Sequence, residues 1–367
     1  MSDHRGTRPK GRESLVETVE SAARLIAKAR QPAIGGLGTD VDGVRAALAL
    51  GLKIGAIVDH AATVYERVDL RVLSDSGVMV TTAAEARHRG DLIVLVGPGA
   101  VAWAGHASVF DNGGGLYPWR GPRGVLCIGT GGARPAHMAI DGDVAVLGDD
   151  LPLDRVIGLL RARLGGRPVA ASPEGLDVTA IDAAALQMKA ASFGVVVADA
   201  HDFDHVAYDS LMALVKALNA ETRFTTLAVP AHHHGRGANL VSAWTTGGRL
   251  PVGMGRGYPE QDDWRFDLER AVGAGEIDAL VWVGALGPEL PEWAGKVPTV
   301  ALIHHGAQEC RADVVIEVGV PGITHAGVLT DAIRDGFAHV EPRAPQDLPS
   351  VAEVLSLLSA AIKDKAA

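Results

Sequence analysis

Two runs of the sequence, Asp91-Leu-Ile-Val-Leu-Val-Gly97 and Asp278-Ala-Leu-Val-Trp-Val-Gly284, are apolar at every position between an aspartate and a glycine. A strand with one face in water alternates polar and apolar residues. A strand apolar on both faces needs cover on both, as in a parallel sheet layered with helices. Shorter runs of the same kind recur at Pro32–Gly36, Ile54–Asp59, Val125–Gly129, Val144–Gly148, Phe193–Ala198, Phe224–Val229, Thr299–Ile303 and Asp313–Val318. Helical periodicity separates many of them, at Leu15–Ala29, Val44–Leu52, Leu153–Leu164 and Leu211–Leu218, and returns at Val351–Ile362. This order predicts an α/β fold with right-handed crossovers.

The second half repeats the first in outline. Phe193–Ala198 answers the opening strand, Thr222–Val229 answers Ile54–Asp59, and Asp278–Gly284 echoes Asp91–Gly97 almost position for position. Thr299–Ile303 and Asp313–Val318 answer Val125–Gly129 and Val144–Gly148. The expected architecture is therefore two tandem doubly wound, Rossmann-like lobes with mainly parallel sheets. The expected boundaries are a disordered tail at 1–13, a first lobe at 14–164, a Gly/Pro/Ser-rich linker at 165–180, a second lobe at 181–340 and a C-terminal segment at 341–367 that packs its helix back on one lobe.

A formal charge of −10 over 367 residues argues against a nucleic-acid footprint. No run of apolar residues is long enough to span a bilayer, and the polar, basic start of the chain lacks the apolar core of a secretory signal. Only two cysteines occur, Cys127 and Cys310, without a neighbour at metal-ligand spacing. Both are expected to be reduced thiols in a cytoplasmic protein.

Thr222–Pro259 begins as a strand that Pro230 stops. The remainder of the stretch is glycine-punctuated yet carries Trp244, Met254 and Tyr258, so it is expected to be an irregular but ordered loop packed across a sheet end. Trp103–Arg123, with Trp103, Tyr117 and Trp119, is expected to do the same.

Four clusters could carry chemistry. Gly36-Leu-Gly-Thr-Asp-Val-Asp-Gly43 joins a strand to a helix, the context of a phosphate cradle. Asp40 and Asp42, however, place negative charge at that helix start and favour a cap over an anion site. His232-His-His234 and His304-His305 follow strands, where open α/β sheets place ligands. Adjacent histidines rarely converge on one ion, so a polar loop is favoured over a metal or a general base. Gly129–Pro135 brings Arg134 to a strand end, and Arg236, Arg249 and Arg256 add positive charge to the long loop. No nucleophile elbow, Cys/His pair or close carboxylate pair is present.

The ordered series Pro32-Ala-Ile-Gly-Gly-Leu-Gly-Thr39, Ile57-Val-Asp-His-Ala-Ala-Thr-Val64, Asp91–Gly97, Trp244-Thr-Thr-Gly247 and Gly255-Arg-Gly-Tyr-Pro259 resembles the B subunit of formylmethanofuran dehydrogenase, across nearly the whole chain. In that family the last two segments read close to W-Q-T-G and S-R-G-Y-P. The resemblance implies a molybdopterin-oxidoreductase-like fold. It also implies a four-cysteine iron–sulfur motif and a cysteine ligand for molybdenum or tungsten after the first strand. Here Thr39-Asp40 stands at that ligand position, and two distant cysteines cannot hold a cluster unaided.

The departure is similar to that of the B subunit of the bacterial formyltransferase/hydrolase complex. The resemblance then implies a non-catalytic structural protein partnered by the A, C and D subunits of that complex. The complex moves a formyl group from formyl-tetrahydromethanopterin to a methanofuran-type carrier and hydrolyses the carrier's formamide to formate. The expectation is no catalytic, cofactor-binding or metal-binding residue in this chain, no nucleic-acid or membrane partner, and loss of both the pterin and the cluster. The emptied cleft is expected to be closed by Trp103, Trp119, Trp244, Met254 and Tyr258, mostly buried. The alternatives are a redox-active formylmethanofuran dehydrogenase subunit that keeps a molybdopterin-type cofactor, and a free-standing module for a small anion.

Overall fold

The structure, a computed structural model, describes residues 12–106, 110, 123–133, 144–148, 151–169, 177–307, 310–331 and 336–363. The strands are β1 (Pro32–Gly38), β2 (Ile57–Val58), β3 (Leu92–Val96), β4 (Gly124–Ile128), β5 (Val144–Leu147), β6 (Gly194–Ala198), β7 (Phe224–Ala228), β8 (Val252–Gly253), β9 (Ala279–Gly284), β10 (Thr299–His304), β11 (Val314–Val318), β12 (Gly327–Asp331) and β13 (Gly336–Val340). The helices are α1 (Arg12–Ala27), α2 (Val41–Ile54), α3 (Thr63–Ser76), α4 (Ala83–Arg89), α5 (Pro98–His106), α6 (Leu153–Leu164), α7 (Val178–Ala190), α8 (His205–Leu218), α9 (Gly235–Thr246), α10 (Leu268–Gly273) and α11 (Val351–Ala361). Two sheets carry the fold, in the orders β11-β10-β9-β1-β2-β8 and β5-β4-β3-β6-β7, and β12 pairs with β13 separately. All pairings in the two sheets are parallel except β2 with β8.

The α/β class and the parallel sheets agree with the sequence reading; the tandem arrangement does not. One compact unit contains the chain up to Val64 together with Ala231–Thr330 and the segment from Gly336 onward, and the other is built on Tyr65–Pro230. The expected boundaries at 164, 181 and 340 therefore cut through both units. Strand-to-strand correspondence nevertheless holds throughout. In the second unit β3 to β7 lie in spatial order 3-2-1-4-5, and in the first β9, β10, β11, β1 and β2 take those same places. The first unit is entered at its fourth strand, interrupted by the second unit, and then completed. A strand's own composition is the same whichever sheet it joins, so the echo was visible while the partition was not.

The aspartate that opens both apolar runs has one job in both units. Asp91 accepts from the backbone N–H groups of Ser192 (2.8 Å) and Phe193 (2.9 Å), holding the entry to β6 against β3. Asp278 accepts from Arg30 and Gln31, each at 2.9 Å, holding the entry to β1 against β9. These are the central strand pairs, and each carboxylate ties together segments far apart in sequence. Charge-assisted bonds to backbone amides are stronger than neutral ones. Asp278→Ala is expected to lower stability by about 1–2 kcal/mol, and Asp91→Ala similarly. Urea unfolding checks this, and an unchanged midpoint in both variants would refute the clamp.

Both sheets are covered on both faces. In the second unit Leu92, Val94 and Val96 face a core shared with α6, α7 and α8, whereas Ile93 and Leu95 face one shared with α4 and α5. In the first, α1, α2, α9 and α11 cover one face and α10 part of the other. The C-terminal helix does pack back, onto α1 and α2.

Several local expectations need correction. The stretch after Pro230 is not an irregular loop throughout, because α9 occupies Gly235–Thr246. Its glycines, which suggested a loop, sit where side chains cross the helix, and a Cβ on Gly237 would collide with the His234 ring. Met254 is buried as expected, and Trp103 packs half-buried on the α5 side of the second unit's core. Trp244 and Tyr258 are 56% and 52% exposed, so neither fills a cleft. The inward face of α9 is instead Ala238, Val241 and Ser242, leaving Trp244 on the outer one. Helix α1 starts at Arg12, within the expected tail, and α7 starts at Val178, within the expected linker. Tyr117, Trp119, Arg134 and residues 170–176 lie outside the described residues.

Candidate functional site

In sheets of this topology a ligand sits beyond the carboxyl ends of the strands, where the winding reverses. Those points are β9/β1 in the first unit and β3/β6 in the second.

At the first, β1 ends in a tight irregular turn. Gly36 and Leu37 have φ of 81° and 49°, and the Thr39 N–H reaches back to the Leu37 carbonyl at 2.8 Å. Gly36 is needed there twice, for its left-handed backbone and because a Cβ would stand 2.6 Å from the Val283 carbonyl. The turn delivers Thr39 and Asp40, both buried, to the start of α2. Asp40 Oδ1 accepts from the Gly43 N–H at 3.0 Å and the Thr39 hydroxyl at 3.3 Å, so Asp40 is the N-cap of α2. On its other side the chain at Gly327 passes so closely that a Cβ there would be 2.7 Å from Asp40 Oδ2. The favoured sequence reading of Asp40 as a helix cap is the arrangement seen.

The histidine run closes around this turn, joined by a residue that sequence reasoning had passed over. His60, in the turn after β2, accepts the Ala62 N–H on Nδ1 at 2.9 Å, which leaves Nε2–H to donate to the His233 carbonyl at 3.1 Å. His233 Nδ1 donates to the Leu286 carbonyl at 2.8 Å, and His234 Nδ1 to the Thr39 carbonyl at 2.7 Å. His233 and His234 hold φ of 55° and 66°, a left-handed pair that these side-chain bonds stabilise. Burial lowers the pKa of His60 from 6.5 to about 4, and burial also lowers that of His234. Burial thus favours the neutral form of His60 and His234, and all three imidazoles are spent on backbone carbonyls. Among the described residues no group of three His, Cys, Asp or Glu side chains is placed to hold a metal. His60 lies in Ile57–Val64, a segment singled out for resemblance but not for its histidine.

The second switch point is stopped in a similar way. Asp202 Oδ2 accepts from the Gly99 N–H at the start of α5 at 2.9 Å. Burial raises the Asp202 pKa, against the lowering effect of that N–H bond. Beside it, Asp199 Oδ1 takes the backbone N–H (3.0 Å) and Nδ1 (2.7 Å) of His201, whose ring stacks on Tyr65 at 3.6 Å. An anion arriving at either helix start would meet a carboxylate already on the amides.

The remaining candidates do not converge. Arg249 pairs with Asp263 at 2.6 Å, Arg256 with Glu260 at 3.3 Å, and His305 with Glu317 at 2.7 Å. His304 lines an open cleft of about 1020 Å³ at the ends of β9 and β10, whose charges, Glu289, Glu292, Lys296 and Arg311, are exposed and of both signs. Cys127 is fully buried on β4, and burial raises the Cys310 thiol pKa, which disfavours a thiolate there.

The donor set therefore does not fit a molybdenum or tungsten pterin. Asp40, at the position where the resemblance implies a cysteine ligand, is engaged as a helix cap, and the Gly43 and Gly99 amides are taken by the Asp40 and Asp202 carboxylates.

Such a molecule is a pair of doubly wound, mainly parallel α/β units. No protein-family model matches the chain. It is 34% identical over 97% of its length, and 96% of the other protein's, to the B subunit of the formyltransferase/hydrolase complex Fhc of Methylorubrum extorquens. It is 26% identical over 92% of its length, and 81% of the relative's, to the B subunit of a tungsten-containing formylmethanofuran dehydrogenase of Methanococcus maripaludis. The structure matches a chain in the crystal structure of the FhcABCD complex of Methylorubrum extorquens with methylofuran. That match has a TM-score of 0.84 at 33% identity, covering 96% of this chain and 97% of that one. The chain belongs to the family of formyltransferase/hydrolase complex B subunits.

Proposed function

We propose that this chain is a structural, non-catalytic B subunit, assembled with the A, C and D subunits of a formyltransferase/hydrolase complex. The complex would carry formyl groups from formyl-tetrahydromethanopterin through a methanofuran-type carrier to formate during formaldehyde oxidation. Full-length similarity to a component of a complex solved with methylofuran supports the assembly. The observation that carries the non-catalytic role is Asp40. The resemblance implies a cysteine ligand at that position, and here the side chain is committed to the Gly43 amide beneath a close-packed Gly327. The chain would work in the cytoplasm; among the described residues no helix is long and apolar enough to cross a membrane.

Two measurements test the proposal. The A, C and D subunits co-expressed with this chain should co-purify with it and turn over formyl-tetrahydromethanopterin, whereas the isolated chain should show no turnover above a denatured control. Metal and pterin analysis of the purified complex should find neither tungsten, molybdenum nor pterin in proportion to this chain. Stoichiometric pterin with either metal would establish the redox-active alternative. A monomer that binds a small anion and ignores the other subunits would establish the binding-module alternative.

A further inference from the structure

Helix α9 is apolar on two faces. Ala238, Val241 and Ser242 are buried in the first unit, and the opposite stripe Leu240, Ala243, Trp244 and Gly247 is exposed, with the half-buried Arg236 one turn before Leu240 on the same side. Its spacing of i, i+3, i+4 and i+7 is that of a single packed helix face. Leu240 and Trp244 are 41% and 56% exposed, and the Trp244 indole lies against Phe337 of β13, itself 37% exposed, with ring centroids 5.1 Å apart. Phe337 in turn meets the His234 ring edge-on at 6.3 Å. The patch thus runs from the braced histidine turn, across the β12–β13 ribbon, to the end of α9.

Exposed aromatics elsewhere in the same unit are handled differently. The Trp264 ring carries the Arg270 guanidinium at 4.3 Å, and Tyr258 is hydrogen-bonded by Arg256. Each is a solvated aromatic with its own charged partner. The Trp244 indole instead lies at a tilt, 59° between ring planes, against a second exposed aromatic. A contiguous apolar face with tryptophan at its centre is the composition of an interface core.

We propose that the Leu240–Ala243–Trp244–Phe337 face docks a different subunit of the formyltransferase/hydrolase complex, one that presents a neutral aliphatic or aromatic surface to receive the indole. This rests on the proposed function above. Charge selects the occupant. A second copy would bring two chains of formal charge −10 together. An anionic membrane would meet the same repulsion. The structural match is to a chain solved inside a hetero-assembly, which such a face suits.

The test is co-expression of the A, C and D subunits with the wild-type chain, with Trp244→Asp, with Leu240→Glu and, as a control, with Leu186→Asp. Leu186 is 68% exposed on α7 in the other unit. Recovery of the complex should fall at least tenfold for Trp244→Asp and Leu240→Glu and be unchanged for the control. Hydrogen exchange of the wild-type chain supplies a readout independent of how the variants fold, and amides of residues 240–247 should exchange at least tenfold more slowly in the complex than in the free chain. Wild-type recovery for both α9 variants, or unaltered exchange across α9 on assembly, overturns the docking face. So does a wild-type homodimer that Trp244→Asp converts to monomer. Failure of the wild-type chain itself to join the complex would instead overturn the proposed function.

Discussion

Replacing Trp282 by alanine should destabilise the protein by about 3–5 kcal/mol, the cost of removing a buried tryptophan that its surroundings cannot refill. Trp282 is 3% exposed on β9, donates its indole N–H to the Pro288 carbonyl at 3.0 Å and meets Trp293 edge-on at 6.0 Å. Its ring lies over the two glycines of β1. A Cβ on Gly35 would be 3.0 Å from Trp282 Cε3, and one on Gly36 would be 3.0 Å from Trp282 Cε2. Loss of the ring therefore leaves a void beside a strand with no side chains to move into it, and orphans the Pro288 carbonyl. The pairing has its own signature. Gly35→Ala alone should cost about 1–3 kcal/mol through overpacking. In a Trp282→Leu background part of that cost should vanish, because the smaller side chain yields its contact while Leu268 Cδ1, 2.9 Å from the same Cβ, stays. Urea unfolding of the four members of the cycle should give a coupling of about 1 kcal/mol or more. Additivity within about 0.5 kcal/mol would show that strand β1 does not depend on the tryptophan.

That pair also shows how far the sequence could be followed. Asp91–Gly97 and Asp278–Gly284 were recognisable as one strand type used twice, since covered parallel strands are apolar at every position. The largest of their three differences, leucine at 95 against tryptophan at 282, carried no meaning until the partners were known. Leu95 lies opposite Val197 of β6, whereas Trp282 lies opposite Gly35 of β1. Volume is conserved across the strand pair rather than along the strand, and register between segments almost 250 residues apart is not written in either one. The same limit explains the interleaved units.

At the site, the Asp40 cap was legible because capping is local, set by a carboxylate three residues from the amide it accepts. The histidine braces were not legible. Each acceptor is a backbone carbonyl brought in from a distant segment, at Leu286, at Thr39, or at His233 for His60. Helix α9 was obscured by glycines that mark close packing, a use of glycine indistinguishable in sequence from loop-forming freedom.

Acid should weaken the first unit through His60. Its imidazole is buried with Nδ1 accepting an amide proton, so the folded state holds it neutral and its pKa falls to about 4, whereas the unfolded chain titrates at the ordinary 6.5. Above pH 6.5 neither state binds the proton and the full stability is present. As pH falls from there toward 4, the unfolded state gains the proton first, so stability is lost across that window and levels off below it. Between pH 7.5 and 5 the loss from this one group is about 2 kcal/mol. His234, whose pKa burial also lowers, adds a loss of the same sign. His60→Gln should be less stable than wild type at pH 7.5, since glutamine cannot both accept from Ala62 and donate to His233 along the same line. Its further loss between pH 7.5 and 5 should nonetheless be about 2 kcal/mol smaller than that of wild type. Urea unfolding at the two pH values measures both quantities. Parallel losses in the two proteins would mean that His60 carries a proton in the folded state, and the neutral brace at the mouth of β1 and β2 would have to be abandoned.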